Sequence, residues 1–445
     1  MRKVACFLLV LGLLCWGLGA SAGLCEYLAK EDPTYSYEVV KSAPLGTGTV
    51  DLVKLTSQTW QGIPWTHWLS IIRPAEVAHA DKALLLIAGG SNRAEPPSLT
   101  SMEAQVLGMI ADKTKSVTAV LSQTPNQPLF DGRTEDGIIA YTYDKYLKGE
   151  GEDWPLLLPM VKGAVRAMDA VQQVAKEKYG QDVRQFVMTG ASKRGWTTWL
   201  TAAADKRVCA IAPIVIDMLN LGKQAPHQLA SYGGYSEQVE DYTTLKIQER
   251  LVSPEGEKLL GIVDPFSYRN DLTLPKLVLL GSNDPYWCVD SANLYYPELK
   301  GEKHLYYQAN TGHDVSQNGI ATIAQFHYSQ LTGEALPDLQ WAMTDGAMKV
   351  NWKGQGGKAL LWQATSPGRD FRNSQWTSTA LEGDGEASTK MEAPQSGWLA
   401  YYIEVQFPSI MGLPFGLSTQ MQVTPDTYPH EELARVSSAG SATAR

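Results

Sequence analysis

RQFVMTGASKRGWTTWLTAAAD, residues 184–205, decides how this chain is read. Its apolar start reads as a strand, Gly190-Ala191-Ser192-Lys193-Arg194-Gly195 as a tight turn, and the run from Trp196 as a helix. A serine on a sharp strand-to-helix turn stands clear of its neighbours, and small flanking residues let the turn close. The pattern is a nucleophile elbow, G-x-S-x-G, with one departure: Arg194 holds the place of the second glycine, and Gly195 follows one residue later. Taken alone, the hexapeptide is equally an ordinary turn in which Ser192 caps the helix.

Strands and helices alternate on both sides of this segment. Trp65 to Ile72 and Ala83 to Ile87 read as strands, the second (ALLLI) a continuous apolar run suited to burial on both faces. Ser116 to Leu121 is a further strand. Leu156 to Lys178 carries Val161, Ala164, Met168, Val171 and Ala175 at helical spacing. Gln185 to Thr189, Val208 to Ile216, Lys276 to Leu280 and Leu305 to Gln308 complete the series. The expectation is an α/β fold, a mostly parallel sheet with helices on both faces. Between 219 and 274 the pattern stalls in a Gly-, Tyr- and charge-rich stretch too long for a simple loop, which we read as a cap or lid. From Leu336 short segments are separated by Gly, Ser and Pro, as in a β-sandwich. Within it, Leu399, Tyr401, Ile403, Val405 and Phe407 alternate with Ala400, Tyr402, Glu404 and Gln406, which predicts a strand with one buried face.

The α/β-hydrolase fold presents a serine, then an acid, then a histidine, each after a strand. Here Asp284 follows the strand ending near Leu280, in Gly281-Ser282-Asn283-Asp284-Pro285, and His313 follows the strand ending at Gln308. Ser192, Asp284 and His313 therefore form a candidate triad in the required order. The plainer reading of Asp284 is an Asx-turn and of His313 a surface loop residue. The remaining histidines after Asp284 are worse placed: His304 begins a strand, His327 lies in a helix and His430 comes at the far end of the second domain. Oxyanion donors would be the N–H of Lys193 and one from Gly89-Gly90-Ser91, with Gly90 preferred. Lys193 and Arg194 set two cations beside the serine. Arg194 and Trp287 are candidate substrate contacts; surface charge and packing are their plainer roles.

Composition narrows the function classes. Of 445 residues, 44% are hydrophobic and 19% charged, which fits a globular chain. The net charge is -9 with no Lys/Arg-rich run, so nucleic acid and anionic lipid are excluded as primary partners. Arg2 and Lys3, the apolar run Val4 to Gly19 and the small residues Ala20-Ser21-Ala22 read as an export signal covering 1–22, cleaved after Ala22. The run is too short to span a membrane, so a soluble periplasmic or secreted protein is expected. Cys25, Cys209 and Cys288 remain after cleavage, enough for one disulfide at most; Cys288 is expected to be a reduced, partly buried thiol. No C-x-x-C or H-E-x-x-H spacing exists, so neither metal nor another cofactor is expected. The domain plan is a signal (1–22), an α/β-hydrolase domain (23–335, cap 219–274), a β-sandwich-like domain (336–436) and a tail (437–445).

GASKRGWTTWL, GSNDPYW, TGHD and EDGIIAYTYDKYL (Glu135 to Leu147) together resemble the PhoPQ-activated pathogenicity-related protein family over nearly the whole mature chain. That resemblance implies an exported α/β-hydrolase-like fold with Ser192, Asp284 and His313 at the triad positions, and it leaves the substrate open. The S-[KR]-x-G form of Ser192-Lys193-Arg194-Gly195, a basic residue following the serine, also resembles glucuronoyl esterases locally. The resulting expectation is an exported serine hydrolase acting on an ester or amide of a small-molecule or peptide substrate. The competing one is a catalytically silent binding or regulatory protein on the same fold. Carbohydrate binding by Trp341, Trp352, Trp362, Trp376 and Trp398 is a third, set against the usual core role of strand tryptophans.

Overall fold

The computed structural model describes residues 22–92 and 95–434. The expected export signal before Ala22 and the expected tail from 437 lie outside the described residues. Nine strands make the main sheet: β1 (Ser36–Leu45), β2 (Gly48–Trp60), β3 (Ile63–Arg73), β4 (His79–Ile87), β5 (Ser116–Leu121), β6 (Gln185–Ala191), β7 (Val208–Ile214), β8 (Lys276–Gly281) and β9 (Lys303–Gln308). Their spatial order is β1-β2-β3-β5-β4-β6-β7-β8-β9. The first three run antiparallel at one edge, and from β5 to β9 every neighbouring pair is parallel. This order, with the serine turn at the end of β6, is that of an α/β-hydrolase.

The apolar runs are explained by burial on both faces. Leu85, Met188, Val278 and Leu280 belong to one core, while their strand neighbours Leu84, Val187, Leu277 and Leu279 belong to the other. Each such buried leucine contributes about 1.5–3 kcal/mol. One face is covered by α4 (Leu157–Tyr179) and α5 (Lys193–Ala204), the other by α2 (Met102–Thr114) and α10 (Gln317–Thr332). All five residues picked out by helical spacing in α4 are buried, and Gly180 closes the helix in the left-handed conformation at φ 66°. The short α1 (Ala22–Ala29) and α3 (Glu135–Leu147) complete this layer.

Residues 215–275, between β7 and β8, hold α6 (Leu221–Tyr232), α7 (Glu240–Thr244), α8 (Ile247–Arg250) and α9 (Pro254–Val263). This insertion packs on α3. Its two ends are stitched by the buried carboxylate of Asp264, which accepts from the N–H groups of Asn220 (3.2 Å) and Leu221 (2.9 Å) at the entry and Phe266 (2.9 Å) at the exit. Burial pushes Asp264 up to about 6, against the pull of those three donors.

Two antiparallel sheets follow. Strands β10 (Asp338–Thr344), β11 (Ala347–Lys353) and β14 (Glu386–Lys390) form one; β12 (Lys358–Ser366), β13 (Thr377–Ala380), β15 (Trp398–Phe407), β16 (Phe415–Ser418) and β17 (Gln422–Thr424) form the other. The expectation of one buried face on 398–407 is corrected: every residue from Leu399 to Val405 is buried. The second face lies against the main domain, where Tyr402 meets Tyr307 of β9 with ring centroids 5.3 Å apart. Glu404 is enclosed with it and is satisfied by Trp362 Nε1 at 2.6 Å and Gln406 Nε2 at 3.0 Å. Trp352 and Trp376 are core residues, 4% and 1% exposed, which removes them from any carbohydrate platform.

Candidate active site

Ser192 sits at φ 58°, ψ −130°, a conformation that costs a non-glycine residue about 1–3 kcal/mol. The strain is held by backbone bonds on both sides: Ser192 N–H donates to Ile214 O on β7 (2.8 Å), and Trp196 N–H donates to Ser192 O (3.0 Å). The helix starts at Lys193, three residues earlier than its sequence suggested, and the Ser192 side chain makes no capping bond. The capping alternative therefore falls. The displaced glycine is also explained. A Cβ on Gly195 would lie 2.8 Å from Gly190 O and 2.8 Å from Ile216 Cγ2, and one on Gly190 would lie 2.8 Å from Arg194 O. Gly190 and Gly195 thus make the close strand–helix approach, and Arg194 projects away from it.

The ends of β8 and β9 lie flush, since a Cβ on Gly281 would fall 2.2 Å from Gly312 O. Asn283 N–H donates to Thr311 O at 3.0 Å across the same seam. This brings Asp284 to His313: His313 Nδ1 and Asp284 Oδ2 are 2.8 Å apart. The other carboxylate oxygen accepts from Tyr286 N–H at 2.9 Å. A carboxylate partner assigns the proton to Nδ1 and leaves the Nε2 lone pair unoccupied. Nε2 is buried without a hydrogen-bond partner, and Tyr286 packs tilted against the imidazole with ring centroids 4.3 Å apart. Ser192 and His313 line the same two cavities. In unliganded enzymes the serine–histidine hydrogen bond is often long and tightens on binding.

Lys193 and Arg194 are compensated by two acids. Lys193 Nζ pairs with Glu135 Oε2 (2.9 Å) and Asp136 Oδ2 (3.2 Å), and Arg194 Nη2 with Glu135 Oε1 (2.6 Å). Arg194 Nε also donates to Thr124 O at 2.6 Å. Burial works to raise Glu135, but hydrogen bonds and charge from Arg194 and Lys193 hold it down at about 2. Asp136 further accepts from Tyr242 Oη on the cap (2.9 Å) and Tyr286 Oη (3.4 Å). Both acids open α3, where the helix dipole favours negative charge.

The cavities differ in kind. A smaller, less open one of about 100 Å³ lies beneath the cap, and Trp287 is among its lining residues. A larger, more open one of about 620 Å³ lies toward α2 and α10 and includes Arg194. The N–H of Lys193, as the first residue of α5, has no intrahelical partner. From the early glycine loop, Ala88 and Gly89 line the larger cavity and Gly90 does not, although Gly90 supplies the turn at φ 117°. Gly89 is packed under the Arg194 guanidinium, whose Nη2 would be 2.6 Å from a Cβ there.

Sequence reading gave no role to Glu135, Asp136, Tyr242 or Tyr286. A signal for the acids was present: adjacent Glu-Asp opening a helix matches in number the two cations after the serine.

The profile of the PhoPQ-activated pathogenicity-related protein family matches residues 24–372. Autocrine proliferation repressor protein A of Dictyostelium discoideum is 32% identical over 432 residues, covering 87% of this chain and 86% of that protein. Similar solved structures include acetyl xylan esterase 1 from Thermoanaerobacterium sp. JW/SL YS485 (14% identity, 70% of this chain, 93% of that one, TM-score 0.48). A glucuronoyl esterase from Solibacter usitatus is another (14% identity, 70% of this chain, 91% of that one, TM-score 0.42).

Proposed function

We propose that this chain, which belongs to the PhoPQ-activated pathogenicity-related protein family, is an exported serine hydrolase acting on an ester or amide. The observation that carries the reading is Ser192 on a strained elbow, opening into the cavities it shares with a histidine whose Nδ1 is held by Asp284. His313 Nε2 takes the proton from Ser192 Oγ as Oγ attacks the substrate carbonyl carbon. The N–H of Lys193 meets the developing oxyanion, with a second donor from the Gly89-Gly90-Ser91 loop. The carbon–heteroatom bond then breaks, the departing group leaves with the proton from His313, and the acyl group stays on Oγ. Water, deprotonated by His313, completes hydrolysis. No step calls for a metal or cofactor. Export rests on the sequence of residues 1–22; among the described residues no helix is long and apolar enough to cross a membrane.

A fluorophosphonate probe and p-nitrophenyl esters test the reading. Labelling and turnover that vanish in Ser192→Ala, with the fold intact by circular dichroism, are expected; turnover should fall on the order of 10³-fold or more. Retained turnover in Ser192→Ala refutes the assignment. The name of the Dictyostelium relative favours a second reading, a regulatory protein that keeps the fold without the reaction. An unlabelled Ser192 in folded protein selects it.

A further inference from the structure

The cavity beneath the cap, of about 100 Å³, is the less open of the two that Ser192 and His313 line. Its walls are Trp196 from α5 and Met218, Leu221, Val239, Ile247 and Leu251 from the segment between β7 and β8. Besides His313 Nε2, three polar atoms in its lining residues are buried without partners: Tyr143 Oη, Trp287 Nε1 and Gln248 Oε1. Tyr143 is only 2% exposed, and its ring is fixed edge-on against Trp196 at 6.2 Å, so the hydroxyl cannot swing out to solvent. An unpartnered buried hydroxyl is destabilising, and a ligand oxygen would relieve that cost.

We infer that this cavity is the acyl subsite, and that it takes a short acyl chain, apolar along its length and carrying an oxygen acceptor near its far end for Tyr143. The inference rests on the serine-hydrolase reading and adds which half of the substrate goes where. In acyl transfer the alcohol must leave while the acyl group waits on Ser192 Oγ for water. The larger, more open cavity toward α2 and α10 gives the alcohol an exit, whereas the smaller, less open one suits the group that stays. Size follows from volume. A cavity of roughly 150 Å³ accepts benzene, about 25 Å³ per carbon, so about 100 Å³ accommodates roughly four non-hydrogen atoms.

The test is kcat/KM for p-nitrophenyl acetate, butyrate, hexanoate and octanoate, together with the isosteric pair 4-oxopentanoate and 4-methylpentanoate. Butyrate should be the best of the straight chains, and octanoate about tenfold or more below it. The oxo ester should exceed its methyl isostere by about tenfold, one buried hydrogen bond at ~1.4 kcal/mol. Ala225→Leu adds three carbons to the lining and should lower the butyrate-to-acetate ratio about tenfold. Tyr143→Phe should bring the oxo-to-methyl ratio close to one. A wild-type optimum at acetate, or a butyrate-to-acetate ratio unmoved by Ala225→Leu, overturns the acyl subsite while leaving the hydrolase reading intact. An oxo-to-methyl ratio unmoved by Tyr143→Phe overturns the role of the hydroxyl. Failure to turn over any ester in the series overturns both readings together.

Discussion

Gly195→Ala isolates the role of the displaced glycine. The added Cβ would meet Gly190 O at 2.8 Å, Ile216 Cγ2 at 2.8 Å and Ile214 O at 3.2 Å. Two of the three obstacles are backbone carbonyls of β6 and β7, so no side-chain rotation relieves them. To reach ordinary contact at 3.4 Å, the start of α5 must move about 0.6 Å from the strands. Overpacking of this kind costs about 1–3 kcal/mol, or a fall in Tm of about 2–6 °C for a large domain. The same movement displaces Ser192, and a shift approaching 1 Å at a reacting group costs up to about 10²-fold in rate. We expect kcat/KM for p-nitrophenyl butyrate to fall about tenfold to a hundredfold. The control is Arg194→Gly/Gly195→Ala, which restores the spelling G-x-S-x-G at 190–194 while leaving the Cβ where it clashes. It should be no more active than Gly195→Ala alone. Differential scanning calorimetry and ester kinetics are the assays. A Gly195→Ala protein within about 1 °C and twofold of wild type, or rescue by the double substitution, would refute the reasoning.

Arg369→Ala should destabilise the protein by about 3–5 kcal/mol in urea unfolding, because it strips one partner from buried Asp290, which bonds Arg369 Nη2 (2.7 Å) and His227 Nε2 (2.8 Å). Burial opposes the charge on Asp290, but His227 and Arg369 hold its pKa well below the carboxylate range, so its contribution is present above about pH 4 and fades as pH falls. Burial likewise works to lower His227, yet Asp290 raises it well above its usual value, so its contribution is full below about pH 6.5 and is lost as pH rises through the folded pKa. In the variant His227 is the remaining cation on Asp290, so unfolding of wild type and variant across pH 4–9 should show the gap widen as pH rises and His227 loses its proton, and a flat gap would count against the cluster. Asp264 titrates near 6 in the fold, above its unfolded value, so its stabilising effect is greatest in acid and declines as pH rises from about 4 through 6. Asp264→Asn should flatten that decline, and an unchanged pH profile would show that Asp264 is not its source. Cys288 is buried and Cys209 partly buried, neither in a disulfide; peptide mapping without reduction should find no Cys209–Cys288 crosslink, and finding one would overturn this.

What the sequence disclosed was local or ordered along the chain. The strand at 83–87 was readable because two-sided burial leaves an unbroken apolar run, and Leu84 and Leu85 do face opposite cores. Asp284 and His313 were readable because the fold fixes their order, and the structure brings them within 2.8 Å. Contacts between distant segments were not readable. Nothing near Arg194 announces that Glu135, 59 positions earlier, will hold its guanidinium. The second buried face of β15 depends on Tyr307, 95 residues before Tyr402. The cap helices also left little trace: α7 and α8 span five and four residues, too few to display a 3.6-residue period, and α6 carries Pro226 within it.

The charge arrangement explains why two cations beside the serine need not oppose the proposed chemistry. A histidine acting as base becomes an imidazolium, and uncompensated Lys193 and Arg194 would disfavour that ion. Glu135 and Asp136 match them charge for charge, leaving Asp284 as the carboxylate bonded to His313. Asp136 does more than neutralise. It is held by Lys193 from the elbow, Tyr242 from the cap and Tyr286 from the loop that carries Asp284. Any displacement of α7 would therefore stretch a bond to the same carboxylate that positions Lys193, and with it the first N–H of α5. In this geometry the cap does not simply cover the serine; its position is coupled through Asp136 to the donor proposed for the oxyanion and, through Tyr286, to the ring packed on His313.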